Sequence, residues 1–600
     1  MKRFLSGNEA VAWGAWEAGV RVAAAYPGTP STEILETFGP MPDVYAEWAP
    51  NEKVALDVAV GAAYAGSRSM AVMKHVGLNV AADSFFYASM TGLEAGLVIV
   101  NADDPFMHSS QNEQDNRRYA KFARVPCLEP TDSQEARDLV GVALEVSEQF
   151  DTPVLLRLTT RLSHSSGIVE LSGIRPAVRD EPPTYRVDAA KYVMVPGNAR
   201  RRHPVIEDRI IKLSAFAEGF ALNRLEYRGT DLGIVTNGVA YQYAREVFPD
   251  ASILKLGMTY PIPGQMIREF AARVGRLIVL EELDPFLEEE IRLLGIPVEG
   301  KSIFPICGEL DQEVVQESAI RAGLLPADSR RPVPQLEKGS LPPRPPILCP
   351  GCPHRGVFHV TSKLKLVVNG DIGCYTLAYL PPLSALHSCG CMGASIGVAH
   401  GVGKAGVAER SVAVIGDSTF FHTGMPALLN VAYNRGDTVT IILDNRTTAM
   451  TGHQDHPGTG RTLQGAETTQ VQFEELVRAM GYRCVETVDP YDLKQVETGL
   501  KRCLDAHEPA VMIARRECAL MPEARKRWVP LRVDEERCNG CGLCFQVACP
   551  AIVRSGVVDV KSGRTKALID PILCTGCEVC AQVCARKAIL FRAQLDEERA

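Results

Sequence analysis

Eight of the chain's 18 cysteines fall between positions 538 and 584, and no other feature restricts the fold as strongly. They form two runs, Cys538-x2-Cys541-x2-Cys544-x4-Cys549-Pro550 and Cys574-x2-Cys577-x2-Cys580-x3-Cys584. Two-residue gaps let three successive thiolates take three corners of one iron-sulfur cube, and the distant fourth cysteine of each run closes the other cube. The expected ligand sets are therefore crossed. Cys538, Cys541, Cys544 and Cys584 would hold one [4Fe-4S] cluster, and Cys574, Cys577, Cys580 and Cys549 the second. Zinc knuckles are the alternative, but zinc needs four ligands per site and gains nothing from triplets at this spacing. Such a tail passes single electrons and supplies no substrate chemistry.

A 600-residue chain exceeds what one hydrophobic core sustains, so roughly three to five domains are expected. An apolar content of 46% with 23% charged residues is that of a soluble globular protein, and a net charge of -8 is small for this length. Nucleic-acid binding needs a basic patch. The densest basic run, Arg525-Lys526-Arg527, is short and reads as a solvated face. Glu9, Glu17 and Arg21 interrupt any apolar signal-peptide core after Met1-Lys2-Arg3. No run of about 18 uninterrupted apolar residues occurs, since His400 and Lys404 break the Gly/Ala/Val-rich stretch there. A cytoplasmic protein that does not span a membrane is expected, and reducing surroundings suit cysteines that bind clusters.

The pattern predicts a multidomain α/β chain. Over 1–175, strand-like runs (Val20 to Ala25, Leu97 to Val100, Val154 to Leu158) alternate with helical ones such as Val54 to Ala65, the rhythm of a doubly wound domain. A polar connector over 176–230 leads to a smaller α/β domain over 231–323, with strands at Leu232 to Thr236 and Leu277 to Leu280. Pro326, Pro332, Pro334, Pro342, Pro343, Pro345 and Pro346 mark a semi-rigid linker over 324–346. A third α/β domain covers 347–519, a second linker 520–532, and the cysteine-rich domain 533–595.

After the predicted strand Val412 to Ile415 comes Gly416-Asp417-Ser418, and Asp444-Asn445 closes the strand Val439 to Leu443. This resembles the thiamine diphosphate fingerprint, except that Ser418 stands where glycine is usual. Magnesium takes hard oxygen ligands shared with diphosphate oxygens. Asp417 would supply a carboxylate and Asn445 an amide oxygen; the resemblance adds the backbone carbonyl of Thr447. Gly416 would let the backbone approach the diphosphate. Strand ends in α/β domains are rich in Gly, Asp and Asn, so these residues alone are unremarkable. The continuation Ala449-Met450-Thr451-Gly452-His453-Gln454 resembles the M-T-G-x-Q segment of 2-oxoacid:ferredoxin oxidoreductases and adds Met450 to the cofactor-binding set.

Thiamine diphosphate is activated by a carboxyl group at N1′ of its aminopyrimidine. Glu52, in Asn51-Glu52-Lys53-Val54-Ala55, resembles that residue; the alternative is a glutamate favoured by the helix dipole. Tyr26-Pro27-Gly28-Thr29-Pro30-Ser31 resembles the Y-P-x-T-P-S turn of the same oxidoreductases, where Thr29 would hold a substrate carboxylate. Otherwise it is a proline-shaped turn. Lys74-His75-Val76-Gly77-Leu78-Asn79 follows the strand Met70 to Met73; His75 is a catalytic candidate or a structural histidine.

The order of these motifs over essentially the whole chain resembles the alpha subunits of the indolepyruvate ferredoxin oxidoreductases, as do Cys349-Pro350-Gly351-Cys352-Pro353-His354-Arg355 and Thr448 to Gln454. The tail resembles bacterial two-cluster ferredoxins. Its first run has four residues before Cys549, which resembles that subunit's variable motif, and Ala585 replaces a usual proline. The resemblance implies two thiamine-diphosphate-type domains, a small transketolase-C-like domain and a two-cluster ferredoxin-like α+β domain. It implies thiamine diphosphate, Mg2+, two [4Fe-4S] clusters, and oxidative decarboxylation of an arylpyruvate with coenzyme A and ferredoxin as acceptors. A smaller beta subunit and an α2β2 assembly are implied as well. Related pyruvate enzymes hold a further cluster on a C-P-x-C pair and two later cysteines. Here Cys349, Cys352, Cys374 and Cys518 are the candidates for that third cluster; the alternative is four buried apolar thiols.

Overall fold

Runs of branched aliphatic residues with no polar alternation, such as Leu97–Asp103, are buried along their whole length and stand where helices cover both faces of a parallel sheet. The computed structural model describes residues 1–175, 185–329, 344–407, 409–591 and 593–594. It divides into two units, Met1–Leu336 and Glu337–Ala600. Most of the proline-rich segment 324–346 lies outside the described residues, as do 176–184 and the last residues of the tail.

In the first unit a seven-stranded sheet runs, from one edge, Met258–Tyr260, Cys127–Leu128, Val154–Thr159, Leu97–Asp103, Ser69–Lys74, Val22–Ala25, Tyr45–Trp48. All neighbours are parallel except the first pair. A four-stranded sheet, ordered Arg276–Leu280, Leu232–Asn237, Ser252–Leu256, Arg224–Glu226, follows it. The chain leaves this small sheet at Leu256 and two residues later lays Met258–Tyr260 antiparallel against Cys127–Leu128. One continuous apolar cluster then includes Leu56 and Phe85 of the large sheet's helices and Leu254, Phe270 and Phe286 of the small domain. The segment read as a connector contains the helix Pro196–Glu218, with Pro204 inside it.

Between the two sheets lies a buried ionic network. Arg157 binds Asp103 at 2.6 Å and Glu129 at 2.5 Å, while Arg117 pairs with Asp115 and, at 2.7 Å, with Glu281. Glu129 also accepts from Asn237 at 2.8 Å and Thr259 at 2.7 Å. Buried charges of this kind cost several kcal/mol each in desolvation unless geometry repays it, so removing one partner is far worse than never having had the pair.

The second unit is built on a six-stranded parallel sheet, ordered Ser388–Cys389, Val368–Gly370, Val412–Gly416, Val439–Asp444, Ala510–Arg515, Cys484–Val488. Alternation along the strands sends Val412, Val414 and Ile441 to one apolar cluster and Ala413, Ile415 and Ile442 to another. The tail adds two antiparallel pairs, Leu531–Val533 with Ile589–Phe591 and Ile552–Val558 with Thr565–Ile569. Its apolar cluster includes Cys544, Cys574 and Cys580. Among the described residues no helix is long and apolar enough to cross a membrane.

Candidate cofactor sites

Adjacent parallel strands end at the same edge of their sheet, and loops leaving that edge bring together residues far apart in sequence. In the second unit the strands Val412–Gly416 and Val439–Asp444 are such neighbours. One terminal atom of the Asn445 amide lies 2.8 Å from the Thr447 carbonyl oxygen and 3.1 Å from each Asp417 carboxylate oxygen. With nitrogen in that position the amide donates to all of them. With oxygen there, carboxylate, amide and carbonyl oxygens converge, the donor set a magnesium ion requires. Asp417 further meets His456 Nε2 at 3.2 Å, both side chains being 4% exposed. Asp444 is buried beside them, and burial followed by the Asp417 charge holds its carboxyl above the usual range despite Arg515 at 2.7 Å. A buried carboxylate and a carbonyl oxygen, each within 2.8–3.1 Å of one amide atom, fit the group.

Gly416 is close-packed, but its neighbour is the ring of Tyr375: a Cβ there would stand 2.9 Å from it. Ser418 accepts from Thr448 at 2.9 Å through its hydroxyl. The segment after Thr447 is a closed loop. Gln454 accepts from Thr451 at 2.5 Å, donates back to its carbonyl at 2.9 Å, and offers its own carbonyl to Thr448 N–H at 2.9 Å. Met450 lies in this loop and is 49% exposed.

The cysteines group as follows. Burial pushes the Cys544 thiol up to about 11, and the further contributions come from Cys538, Cys584 and Cys541, three members of one crossed set. Burial likewise raises Cys577 to about 11, with Cys549 and Cys574 acting on it, and Cys580 is raised by burial, Cys577, Cys549 and Cys574. Backbone N–H groups reach two of the sulfurs, Leu531 to Cys574 at 3.3 Å and Ala588 to Cys584 at 3.2 Å. The other four candidates also stand together. Cys374 is pushed up to about 12 by burial, then by Cys518, Cys349 and Asp417; Cys352 is raised by burial and by Cys374 and Cys518. Among the described residues no three His, Cys, Asp or Glu side chains group as a single-ion site.

In the first unit the candidate residues also follow strand ends, at Ala25, Trp48 and Lys74 of three neighbouring strands. Glu52 opens the helix Glu52–Tyr64, which Asn51 caps by accepting from Val54 N–H at 3.0 Å. The Glu52 side chain is 4% exposed and packs on Gly77: a Cβ at Gly77 would meet its Cγ at 2.7 Å and Oε1 at 2.8 Å. Lys74 lies against Gly28, donates to the Ser109 carbonyl at 3.0 Å, and feels both Asp104 and Glu52. Burial still lowers its pKa. Thr29 is half-buried, and its carbonyl accepts from Ser109 Oγ at 3.3 Å. His75 is fully buried with Nε2 3.1 Å from the Asn112 carbonyl, and burial, then Lys74, lower it to about 4. It is neutral near pH 7. His75 Nδ1 has no hydrogen-bond partner among the described residues.

Sequence reading missed three groups. His456 sits on Asp417 although only its place just beyond Gln454 hinted at a role. Asp104 gathers N–H or hydroxyl donors from Ser109, Ser110 and Thr160 beside Lys74. Arg355 is 1% exposed between the Cys349 segment and the tail.

Residues 13–208 match the family described as pyruvate flavodoxin/ferredoxin oxidoreductase, thiamine diP-bdg, and residues 371–514 that described as thiamine pyrophosphate enzyme, C-terminal TPP binding domain. The chain is 42% identical to an indolepyruvate oxidoreductase subunit IorA of Archaeoglobus fulgidus, covering 98% of this chain and 97% of that one. It is 40% identical to the protein of the same name from Pyrococcus horikoshii, covering 97% and 96%. A 2-oxoglutarate synthase subunit KorA of Methanothermobacter thermautotrophicus is 25% identical, covering 46% of this chain and 87% of that one.

Proposed function

Because the chain belongs to the family of indolepyruvate oxidoreductase IorA subunits, we propose that it oxidatively decarboxylates arylpyruvates, indolepyruvate among them, to arylacetyl-CoA. Each turnover consumes coenzyme A, releases CO2, and passes two electrons singly to ferredoxin. The enzyme works in the cytoplasm with a smaller beta subunit, in an α2β2 assembly; the word subunit in the relatives' names supports a partner chain.

The observation that carries this reading is the position of Asp417. It belongs to the oxygen cluster with Asn445 and Thr447, and the Asn445 carbonyl accepts from the Cys518 N–H at 2.9 Å. A decarboxylase that releases an aldehyde has no use for thiols next to its diphosphate site. An oxidase that must remove electrons does.

Thiamine diphosphate, when bound, supplies the electron sink for breaking the bond to the carboxylate. Asp417, Asn445 and the Thr447 carbonyl would hold Mg2+ and, through it, the diphosphate. Glu52 would share a proton with N1′ of the aminopyrimidine, and the buried position at its helix start keeps water from competing for the carboxylate. Thr29 would orient the substrate carboxylate. A neutral His75 can donate or accept one hydrogen bond through Nδ1 without adding charge. The inner cysteines 349, 352, 374 and 518 would hold a third [4Fe-4S] cluster, and the two crossed tail sets the others, within a ferredoxin-like domain over 533–595. The domain over 231–323 is of the transketolase-C type.

The test is coenzyme A-dependent reduction of a viologen dye by indolepyruvate, phenylpyruvate, pyruvate and 2-oxoglutarate, with the chain alone and with its beta partner. Reduction fastest with the aryl substrates is expected. Aldehyde release without dye reduction overturns the oxidoreductase reading, and a preference for 2-oxoglutarate overturns the substrate.

A further inference from the structure

Arg355 is among the most completely buried large side chains of the chain; its surroundings differ from those of Arg117 and Arg157 and resemble those of the buried Arg209, which donates to the Asp151 and Ser89 carbonyls. Arg117 and Arg157 each face carboxylates. Among the described residues, every hydrogen-bond acceptor of Arg355 is a backbone carbonyl: Nε and Nη2 donate to Cys349 O at 3.2 and 3.0 Å, and Nη1 donates to Val547 O at 3.1 Å, with Ala548 O and Leu348 O as further acceptors. Carbonyl dipoles solvate a guanidinium but do not neutralise it, and a buried cation without an anion is costly. The anions it can answer are sulfur. Two of the carbonyls it holds flank sulfurs of both groups, that of Cys349 in the inner group and that of Ala548, next to Cys549, in the tail.

The same two groups are drawn together by other contacts. Tyr491, whose hydroxyl donates to Gly351 O, also accepts from Gln582 Nε2 of the tail at 2.6 Å through its carbonyl. Gly351 has φ of +66°, and a Cβ there would meet Thr575 Oγ1 at 2.2 Å, so the turn between Cys349 and Cys352 lies directly on the second cysteine run. Arg355 thus forks from the carbonyl of Cys349 to that of Ala548, the residue before Cys549.

We propose that Arg355 is a positioning residue placed between the inner cysteines and the Cys549/Cys574/Cys577/Cys580 set, where its fixed charge raises both clusters' reduction potentials and its hydrogen bonds form the bridge an electron crosses. The inference rests on the reading of these cysteines as cluster ligands. The step it would serve moves one electron: with both clusters bound, the inner one would be oxidised and the tail one reduced by one unit, with no bond broken. No proton moves, because an arginine stays protonated. Cluster potentials depend on net charge and on hydrogen bonds around the sulfurs, so removing a buried positive charge makes the reduced state harder to reach.

The experiment uses the anaerobically purified complex of full-length chain and beta subunit, with R355Q and R355K compared to the parent. Iron per chain, bound thiamine, EPR-monitored redox titration and single-turnover transfer to ferredoxin are measured. About twelve irons in the parent show three clusters; about eight sink the cluster reading and this inference with it. With twelve irons and thiamine retained, R355Q is expected to lower two of the three potentials by at least a tenfold shift in the reduction equilibrium, about 59 mV for one electron. Unmoved potentials in an R355Q protein that keeps its iron overturn the role of Arg355 alone. Should R355Q lose iron, R355K decides, since it keeps the charge and loses the fork. Transfer slowed at least tenfold at parental potentials supports the bridge, and a parental rate overturns it.

Discussion

Gly77 and Gly61 lie near opposite ends of what a methyl group can meet. At Gly77 a Cβ collides with the Glu52 carboxylate, whereas at Gly61, on the same helix as Glu52, nothing lies within 4 Å. Gly77→Ala is therefore expected to displace Glu52 and lower kcat at least tenfold, with overpacking costing about 1–3 kcal/mol. Gly61→Ala should raise stability by about 0.5–1 kcal/mol and leave kcat alone. Equal kcat in the two variants would show that Glu52 does not depend on that contact. Asp417→Ala should lose magnesium and thiamine diphosphate together, read by cofactor content after gel filtration; full activity in that variant would remove the diphosphate site from where it is placed here. His75 gives a pH prediction. Its folded pKa is lowered to about 4 from an ordinary 6.5, so the unfolded chain takes up the proton first. Its contribution to stability is intact above about 6.5 and is lost as pH falls towards 4. Denaturation midpoints of the parent and His75→Gln should converge or diverge across that interval only, and parallel curves would contradict the burial that causes the shift.

Elements that declare themselves by apolar runs were legible. Val412–Gly416 and Val439–Asp444 extend the strands read from the sequence by one residue each, because the residues at a buried parallel strand's core have no other place to go. The loop after Thr447 was legible only as a string of letters; its closure by Gln454 through side chain and backbone is a three-dimensional fact. Gln454→Ala should loosen it, weaken magnesium-dependent thiamine binding about tenfold and lower stability by about 1–3 kcal/mol, since the buried side chain loses two hydrogen bonds. The crossed sets proposed for the eight tail cysteines rest on spacing, since a cube dictates that spacing. Cys577→Ala should retain thiamine, lose about four irons per chain, and stop transfer to ferredoxin. Arg117 and Arg157 were invisible for the opposite reason, and Arg355 was legible only as the end of a motif: an arginine in sequence looks like surface until its partners, far away along the chain, are known.

For the molecule as a whole, what escaped the sequence is mostly what joins its parts. Three residues, Met258–Tyr260, carry no periodicity of their own, and the helix Pro196–Glu218 begins in a basic stretch with a proline inside it. Yet the first seals an edge of the large sheet and the second covers helices of the same unit, with Arg209 donating to Ser89 and Asp151 backbone carbonyls. The buried pairs of Arg117 with Glu281 and of Glu129 with Asn237 cross the same boundary. Anyone wishing to excise the first α/β domain, read as 1–175, together with its connector for crystallisation or display would cut at residue 230 from the sequence. That cut strips the partner from Cys127–Leu128 and leaves its hydrogen-bonding groups open, a template for pairing with other copies. Such a fragment should precipitate, while one ending at 329 should stay in solution.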